Sequence, residues 1–149
     1  MVNIELIDLT RENWQAVAAL TVSPEQEDFV ASNLKTIAEV QFYPSSVCRV
    51  IATEGRPVGL AAYGIDTDDG SLWLFRFMIS ASEQGKGYGR AALVRLIETW
   101  RAMPIGCVCL AYDPDNVAAE RLYQSLGFVP GDIGEHGDRI ARLDLSAGR

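Results

Sequence analysis

The sequence is short of the residues that cross-link a chain, coordinate a metal or bind nucleic acid. It has three cysteines and one histidine among 149 residues, and 13 Lys and Arg against 20 Asp and Glu, a formal net charge of −7. A nucleic-acid partner is not expected, because neutralising phosphates needs a surplus of cationic side chains. Cys107 and Cys109 alternate in "CVCL", which suits two thiols on one face of a strand rather than a disulfide or a C-x-x-C site. We expect reduced core cysteines and no metal.

Long hydrophobic runs are also missing. No apolar stretch approaches the roughly 18 residues of a membrane span. The start, "MVNIELIDLTREN", lacks the basic residues and apolar block of a signal peptide. No membrane partner is expected, and we predict a cytoplasmic protein. A chain of 149 residues with 48% hydrophobic and 22% charged residues is long enough to bury a core as a single domain, residues 1–149.

The first third of the chain predicts a strand and two helices. "NIELIDL" alternates apolar and polar residues, as a half-buried strand does, and a short helix follows it. For the second helix, Ser23 is the predicted N-cap, Pro24 lies in the first turn, and Gln26 completes a capping box. Its apolar stripe consists of Phe29, Val30, Leu34, Ile37 and Val40, and Pro44 ends it. Gln26 and Asn33 fall within this stripe. These two amides either bond to neighbouring backbone or line a cavity.

The rest of the chain predicts a meander, two helices and a closing hairpin. Turns separate "VCRVIAT", "VGLAAYGI" and "SLWLFRFMIS", which predict three antiparallel strands. A helix then runs to about Met103, the strand "GCVCLAY" follows, and Asn116 caps a last helix that Gly127 terminates. "FVPGDI" and "RIARLDL" predict a hairpin. A strand–helix–strand unit among antiparallel pieces implies an α/β (α+β) fold, a mixed sheet flanked by helices.

The stretch "QGKGYGR", residues 84–90, places three glycines between a strand and a helix. At a helix start, its backbone N–H groups, the helix dipole and the charges of Lys86 and Arg90 make an anion site that suits a pyrophosphate. The Walker A pattern is not met, because no G-K-[ST] ends the loop. The Rossmann spacing is not met either. The alternative is a loop that only needs a positive φ.

A second pattern lies in "DPDNVAAERLYQSLGF". Ala119, Leu122, Tyr123 and Leu126 share one helical face. Tyr123 is either a core tyrosine with a hydrogen-bonded hydroxyl or a phenolic acid that gives a proton to a leaving group.

These two patterns together resemble the GNAT superfamily of acyl-CoA-dependent N-acyltransferases. The resemblance covers the Q-x-x-G-x-G signature, the distal motif N-x-x-A-x-x-L-Y-x-x-L-G-F and the order of elements across nearly the whole chain. The strings "PEQEDFVASN", "RFMIS", "QGKGYGRAAL" and the final G-E-x-G-D hairpin are similar, more narrowly, to the bacterial spermine/spermidine (diamine) acetyltransferase branch.

The resemblance implies a GNAT-like mixed, mostly antiparallel sheet of six to seven strands flanked by about four helices, with acetyl-CoA as co-substrate. Main-chain N–H groups of the glycine stretch would hold the CoA pyrophosphate, from Gln84, Gly85, Lys86, Gly87, Tyr88, Gly89 and Arg90. Met78 and Ile79 would pair with the pantetheine arm and hold the acetyl carbonyl, and Asn116 would touch the pantetheine region. Tyr123 would protonate the departing thiolate as the amine attacks directly, without a covalent enzyme intermediate.

The acceptor amine must lose a proton before it attacks, because an alkylammonium has a pKa near 10. The usual carboxylate of the central strand is absent from "LWLFRFMIS". Asp113 and Glu27 are the candidate bases, each with the alternative of a capping or surface carboxylate. Gln26 and Asn33 become candidate amides of the substrate pocket. Arg76, if buried, needs a carboxylate partner, so it is a candidate to orient an acidic residue of the substrate site.

The predicted function is acetyl transfer from acetyl-CoA to a primary amine of a small molecule, with a polyamine such as spermidine or spermine as the first candidate. The alternatives are the same chemistry on an aminoglycoside, an amino acid or a protein N-terminus, and a non-catalytic acyl-CoA-binding module. Many members of this superfamily are dimers, so a homodimer is expected from the resemblance.

Overall fold

The computed structural model describes residues 2–27, 29 and 31–146. Within these residues, seven strands form one sheet, and four α-helices flank it in the predicted order. The strands are β1 (Glu5–Asp8), β2 (Ser46–Thr53), β3 (Arg56–Ile65), β4 (Leu72–Ile79), β5 (Cys107–Tyr112), β6 (Val129–Ile133) and β7 (Arg139–Asp144). The helices are α1 (Trp14–Ala18), α2 (Asn33–Val40), α3 (Tyr88–Arg101) and α4 (Val117–Ser125). The expected mixed α/β fold is confirmed.

The sheet has the order β1-β2-β3-β4-β5-β7-β6. Its neighbouring strands are antiparallel except for β4 and β5, which run parallel because α3 connects them. Strand β4 also carries a bulge: Ala62 pairs with Arg76 and Tyr63 with Leu74, so Phe75 is the extra residue. A bulge re-aims the side chains around it, and this one lies at the middle of the sheet.

The sheet separates two hydrophobic clusters. The larger packs α3, including the fully buried Leu96 and Trp100, against one face, with Leu122 and Tyr123 of α4 at its margin. The smaller places Val17 of α1 and Ile37 of α2 on the other face, against Val50, Leu60 and Met78. The alternation of apolar residues along the central strands thus supplies both cores.

The prediction of one helix from Ser23 to Val40 is wrong. Pro24–Gln26 form a single 3₁₀ turn, and α2 begins only at Asn33. The reason is a second N-cap: Ser32 has extended dihedrals, and its Oγ accepts from the Lys35 N–H at 3.1 Å. The predicted stripe is therefore divided between two segments, and Leu34 is exposed. Val30 of that stripe lies outside the described residues.

The predicted N-cap and terminating glycine of α4 are confirmed. Asn116 Oδ1 accepts from the Ala119 N–H at 3.2 Å, and Gly127 follows the helix with φ of +100°.

Cys109 is buried and Cys107 half-buried, both as free thiols. Across the described part of the chain, the helices are too short or too polar to cross a membrane.

Replacing Leu96 by Ala should lower the free energy of unfolding by about 2–5 kcal/mol, because the change removes buried methyl groups and leaves a cavity. Val94→Ala is the matched control on the exposed side of α3 and should cost less than about 1 kcal/mol. Urea unfolding followed by circular dichroism measures both. Equal losses for the two variants would contradict the assigned orientation of α3.

Candidate active site

A cleft opens where β4 and β5 diverge. Their pairing covers only Leu72–Leu74 and Val108–Leu110, although β4 continues to Ile79 and β5 to Tyr112. The space between the diverging strands belongs to a cleft of about 640 Å³. The second half of β4 therefore presents an unpaired strand edge inside the molecule. An extended chain with amide groups can pair with such an edge as an added strand does.

The glycine stretch closes one end of this cleft. Gly85 and Gly87 have φ of +80° and +85°, a region that side chains rarely adopt. Gly87 is the N-cap of α3 and offers no side-chain acceptor, so the first N–H groups of the helix keep their bonding capacity for a ligand. A Cβ added at Gly89 would lie 3.6 Å from Ile79 Cγ1 and 3.8 Å from Leu122 Cδ2, in the gap between β4 and α4. These features fit the pyrophosphate and pantetheine of CoA.

The two cations of this stretch have other partners. Lys86 Nζ pairs with Glu83 Oε2 at 3.1 Å, and Arg90 Nη1 donates to Ser125 Oγ at 2.7 Å. Arg56 also pairs with Glu83, so hydrogen bonds from Lys86 and then Arg56 hold the pKa of the Glu83 carboxyl below its usual value. Arg90 still borders the cleft, whereas Lys86 is not among its lining residues. The local positive potential therefore comes from the helix N-terminus and from Arg90, because the Ser125 hydroxyl does not neutralise the guanidinium.

Tyr123 lies half-buried in the wall of the cleft. Its ring packs between Tyr112 and Phe128, with centroid distances of 5.7 and 5.8 Å. The Tyr112 hydroxyl donates to Glu120 Oε1 at 3.0 Å, which holds that neighbouring ring in place. Burial raises the pKa of Tyr123 to about 12, so its phenol keeps its proton at neutral pH. Asn116, at the start of the same helix, also borders the cleft.

The four predicted substrate residues separate into two pairs. Gln26 and Asp113 line the cleft, and Glu27 and Asn33 do not. Asn33 is 3% exposed, and its Nδ2 donates to Val17 O at 2.9 Å and to Met78 Sδ at 3.4 Å. Its amide therefore joins α1, α2 and β4, which corrects the pocket assignment in favour of the structural alternative.

The prediction that Arg76 needs a carboxylate is confirmed. Arg76 Nη2 pairs with Glu39 Oε2 of α2 at 3.3 Å, and Nη1 donates to Phe75 O at 2.8 Å. Its Nε is buried without a hydrogen-bond partner among the described residues. Arg76 lines the cleft next to the bulge, whereas Glu39 does not line it.

Sequence reasoning missed several residues that line the cleft, among them Asp138. Tyr112 pairs with Arg139 across β5 and β7, so Asp113 and Asp138 extend this register by one position. Both carboxylates line the cleft. Asp138 is the last residue of the hairpin string "G-E-x-G-D", which the sequence analysis noted. The position of Asp138 beside Asp113, however, depends on the pairing of β7 with β5. The aromatic residues Trp73, Phe75 and Phe29, also without a predicted role, line the cleft as well.

Residues 5–128 match the acetyltransferase (GNAT) family. The chain belongs to this family and is an N-acetyltransferase that takes its acetyl group from acetyl-CoA. It is 30% identical to the spermine/spermidine N(1)-acetyltransferase of Bacillus subtilis (strain 168), over 96% of this chain and 99% of that protein. It is 35% identical to a mycothiol acetyltransferase of Kineococcus radiotolerans, over 77% of this chain and 38% of that protein.

Solved structures share the fold. The spermidine N-acetyltransferase of Vibrio cholerae in complex with CoA and spermine superposes with a TM-score of 0.75 at 17% identity, over 96% of each chain. An aminoglycoside acetyltransferase in complex with coenzyme A gives a TM-score of 0.81 at 17% identity, over 97% of this chain and 96% of that one.

Gly85 and Gly70 allow a matched test of the loop. Both have positive φ, +80° and +76°, and an added Cβ would meet nothing within 4 Å at either position. Alanine at each should cost about 1–2 kcal/mol in backbone strain, but only Gly85 lines the cleft. Gly85→Ala should also raise the Kd for CoA about tenfold, ~1.4 kcal/mol, because relief of the strain moves the N–H groups.

Isothermal titration of CoA with both variants measures this difference, and urea unfolding measures the strain. An unchanged Kd in Gly85→Ala, or an equal rise in Gly70→Ala, would contradict a role of this loop in CoA binding.

Proposed function

We propose that this chain acetylates a primary amine of a polyamine, spermidine or spermine, by direct attack in a ternary complex. The observation that carries the acceptor class is that Asp113, just after β5, and Asp138, just before β7, both line the cleft. Two carboxylates at one cleft favour a cationic ligand such as an ammonium group. The similarity to a spermine/spermidine acetyltransferase over nearly all of both chains supports the same acceptor.

The residues of the chain have distinct tasks in this proposal. Main-chain N–H groups of residues 84–90 hold the pyrophosphate, and the end of β4 at Met78 and Ile79, which is not paired with β5, lies along the pantetheine arm. Asn116 borders the same arm. Acetyl-CoA supplies a thioester carbonyl that an amine can attack. A backbone donor of β4 near that carbonyl stabilises the negative charge that develops on its oxygen, by a few kcal/mol.

Proton transfer falls to two residues. Tyr123 holds a proton on its hydroxyl because burial raises its pKa to about 12, and that proton is available to the departing sulfur. Asp113 is the predicted base that remains at the cleft, directly or through a water. Its Oδ1 already accepts from the Asp115 N–H at 2.8 Å, so the second carboxylate oxygen is the one that faces the amine's proton in this proposal.

The cellular location and the quaternary structure belong to the proposal as well. Cys48, Cys107 and Cys109 are free thiols, which suits the reducing cytoplasm. The homodimer expected from the family resemblance stays a prediction.

The acceptor is tested by incubating the protein with acetyl-CoA and spermidine, spermine, an aminoglycoside, an amino acid or an N-terminal peptide, and reading the products by mass. We expect the polyamines to be acetylated most efficiently. A response to the other amines with none to the polyamines would contradict the proposal.

Asp138→Asn should raise the KM for spermidine about fivefold, ~1 kcal/mol, because an exposed ion pair with a distal ammonium group is lost. The KM for a monoamine should change less, since it has no distant ammonium group. Asp68→Asn, an exposed turn residue with the same change in charge, is the control and should leave both KM values unchanged. Steady-state kinetics at saturating acetyl-CoA compare these two variants with the wild type. An equal effect of Asp68→Asn would assign the change to net charge alone.

Tyr123→Phe should lower kcat by roughly 10²-fold, because the phenolic proton donor is lost while the packing of the ring is kept. Since the pKa of Tyr123 is raised to about 12, ionisation of this phenol should not reduce the wild-type rate below about pH 10, its ordinary pKa. Rates measured from neutral to alkaline pH test both statements, with Tyr43→Phe, an exposed tyrosine, as the control. An unchanged rate in Tyr123→Phe at every pH would remove the general-acid role.

A further inference from the structure

The side chain of Gln84, the first residue of the glycine stretch, makes two hydrogen bonds within the protein. Its Nε2 donates to Ile79 O at 2.9 Å and to Gln26 Oε1 at 2.8 Å. An amide nitrogen has two donors, so both are used. Gln84 thereby joins the end of β4, the CoA loop and the segment between α1 and α2.

The other partner, Gln26, holds its own segment in shape. Its Oε1 also accepts from the Ser23 N–H at 3.3 Å, across the 3₁₀ turn Pro24–Gln26. The oxygen thus receives one donor from its own turn and one from the CoA loop. Gln26 lines the cleft, and so do Val22, Phe29 and Ala31 of the same segment. We call these four cleft-lining residues, Val22, Gln26, Phe29 and Ala31, the acceptor wall.

The acceptor wall has few hydrogen bonds to the rest of the molecule, although its Val22 packs against the smaller hydrophobic cluster. The Ala81 N–H donates to Thr21 O at 2.8 Å before the turn, and buried Asn33 holds the start of α2 after it. Between these two points, the bond from Gln84 is the one side-chain link to the CoA loop that the described residues show.

We propose that Gln84 and Gln26 are positioning residues that couple CoA binding to the shape of the acceptor wall. When the main chain of residues 84–90 holds the pyrophosphate, the backbone of Gln84 is fixed, and its side chain then holds Gln26. The link already exists without CoA, so bound CoA makes the wall that the acceptor meets more rigid. By thermodynamic linkage, the acceptor strengthens CoA binding by the same factor. The inference rests on the proposed function for its kinetic part alone.

Four variants separate the hydrogen bond from the bulk of the side chains. Gln84→Met and Gln26→Leu keep similar volume but remove the donors and the acceptor, respectively. Gln84→Arg retains donors only, and Gln26→Glu retains acceptor oxygens, so these two should preserve the link. Gln124→Leu, an exposed glutamine of α4, controls for the loss of an amide elsewhere.

The first measurement needs no acceptor. Amide hydrogen exchange of the peptide that contains Gln26 is followed with and without saturating CoA. CoA should slow this exchange in the wild type, Gln84→Arg, Gln26→Glu and Gln124→Leu. The slowing should fall by about three- to tenfold in Gln84→Met and Gln26→Leu, the range expected for one hydrogen bond. Full protection in both of these variants would overturn the coupling. If Gln84→Met binds no CoA, Gln26→Leu decides the question, because its change lies outside the CoA loop.

The second measurement is kinetic, with spermidine as acceptor at saturating acetyl-CoA. The KM for spermidine should rise about three- to tenfold in Gln84→Met and Gln26→Leu, with kcat within about twofold. The double variant should be no worse than either single one, since both remove the same bond. Additive effects would overturn the coupling. If the wild type fails to acetylate spermidine while CoA still protects the Gln26 peptide through Gln84, the polyamine proposal fails and the coupling stands.

Discussion

The pairing of β4 with β5 stops after Leu74 and Leu110, and the function of the molecule depends on that divergence. A parallel pair needs a crossover, and α3 supplies it, so the N-terminus of α3 necessarily lies at the open end of the strands. The same divergence leaves the edge of β4 unpaired and places α4, with Tyr123, on the opposite wall. One interruption of the sheet therefore brings together a strand edge, a helix N-terminus and the phenol of Tyr123.

Charge is distributed unevenly along the cleft. The glycine stretch offers backbone N–H groups and the charge of Arg90, because Lys86 is paired with Glu83 whereas Arg90 bonds to the neutral hydroxyl of Ser125. Asp113 and Asp138 also line the cleft and carry negative charge. In the proposed function, the anionic pyrophosphate and a cationic acceptor thus meet complementary groups. Arg76 stays compatible with this arrangement because Glu39 neutralises it.

Prediction from the sequence succeeded where the determinants are local. The glycines with positive φ, the cap at Asn116 and the terminator Gly127 follow from backbone geometry within a few residues. It failed for the second helix, because two N-caps, Ser23 and Ser32, compete within ten residues and the pattern alone did not rank them. The family resemblance carried the order of the elements and the cofactor, which periodicity could not supply.

The sequence by itself determined most of the elements, the glycine loop at the start of α3 and the apolar face of α4 that carries Tyr123, because each depends on residue spacing within one segment. Only the tertiary structure decided which polar groups share the cleft. Arg76 bonds to Glu39, 37 residues away, and Gln84 bonds to Gln26, 58 residues away. Asn33 donates to Val17 and Met78. A buried polar group needs a hydrogen-bond partner, because leaving it unpaired is costly. Which partner it has depends on how distant segments pack together, and a local sequence pattern does not contain that information.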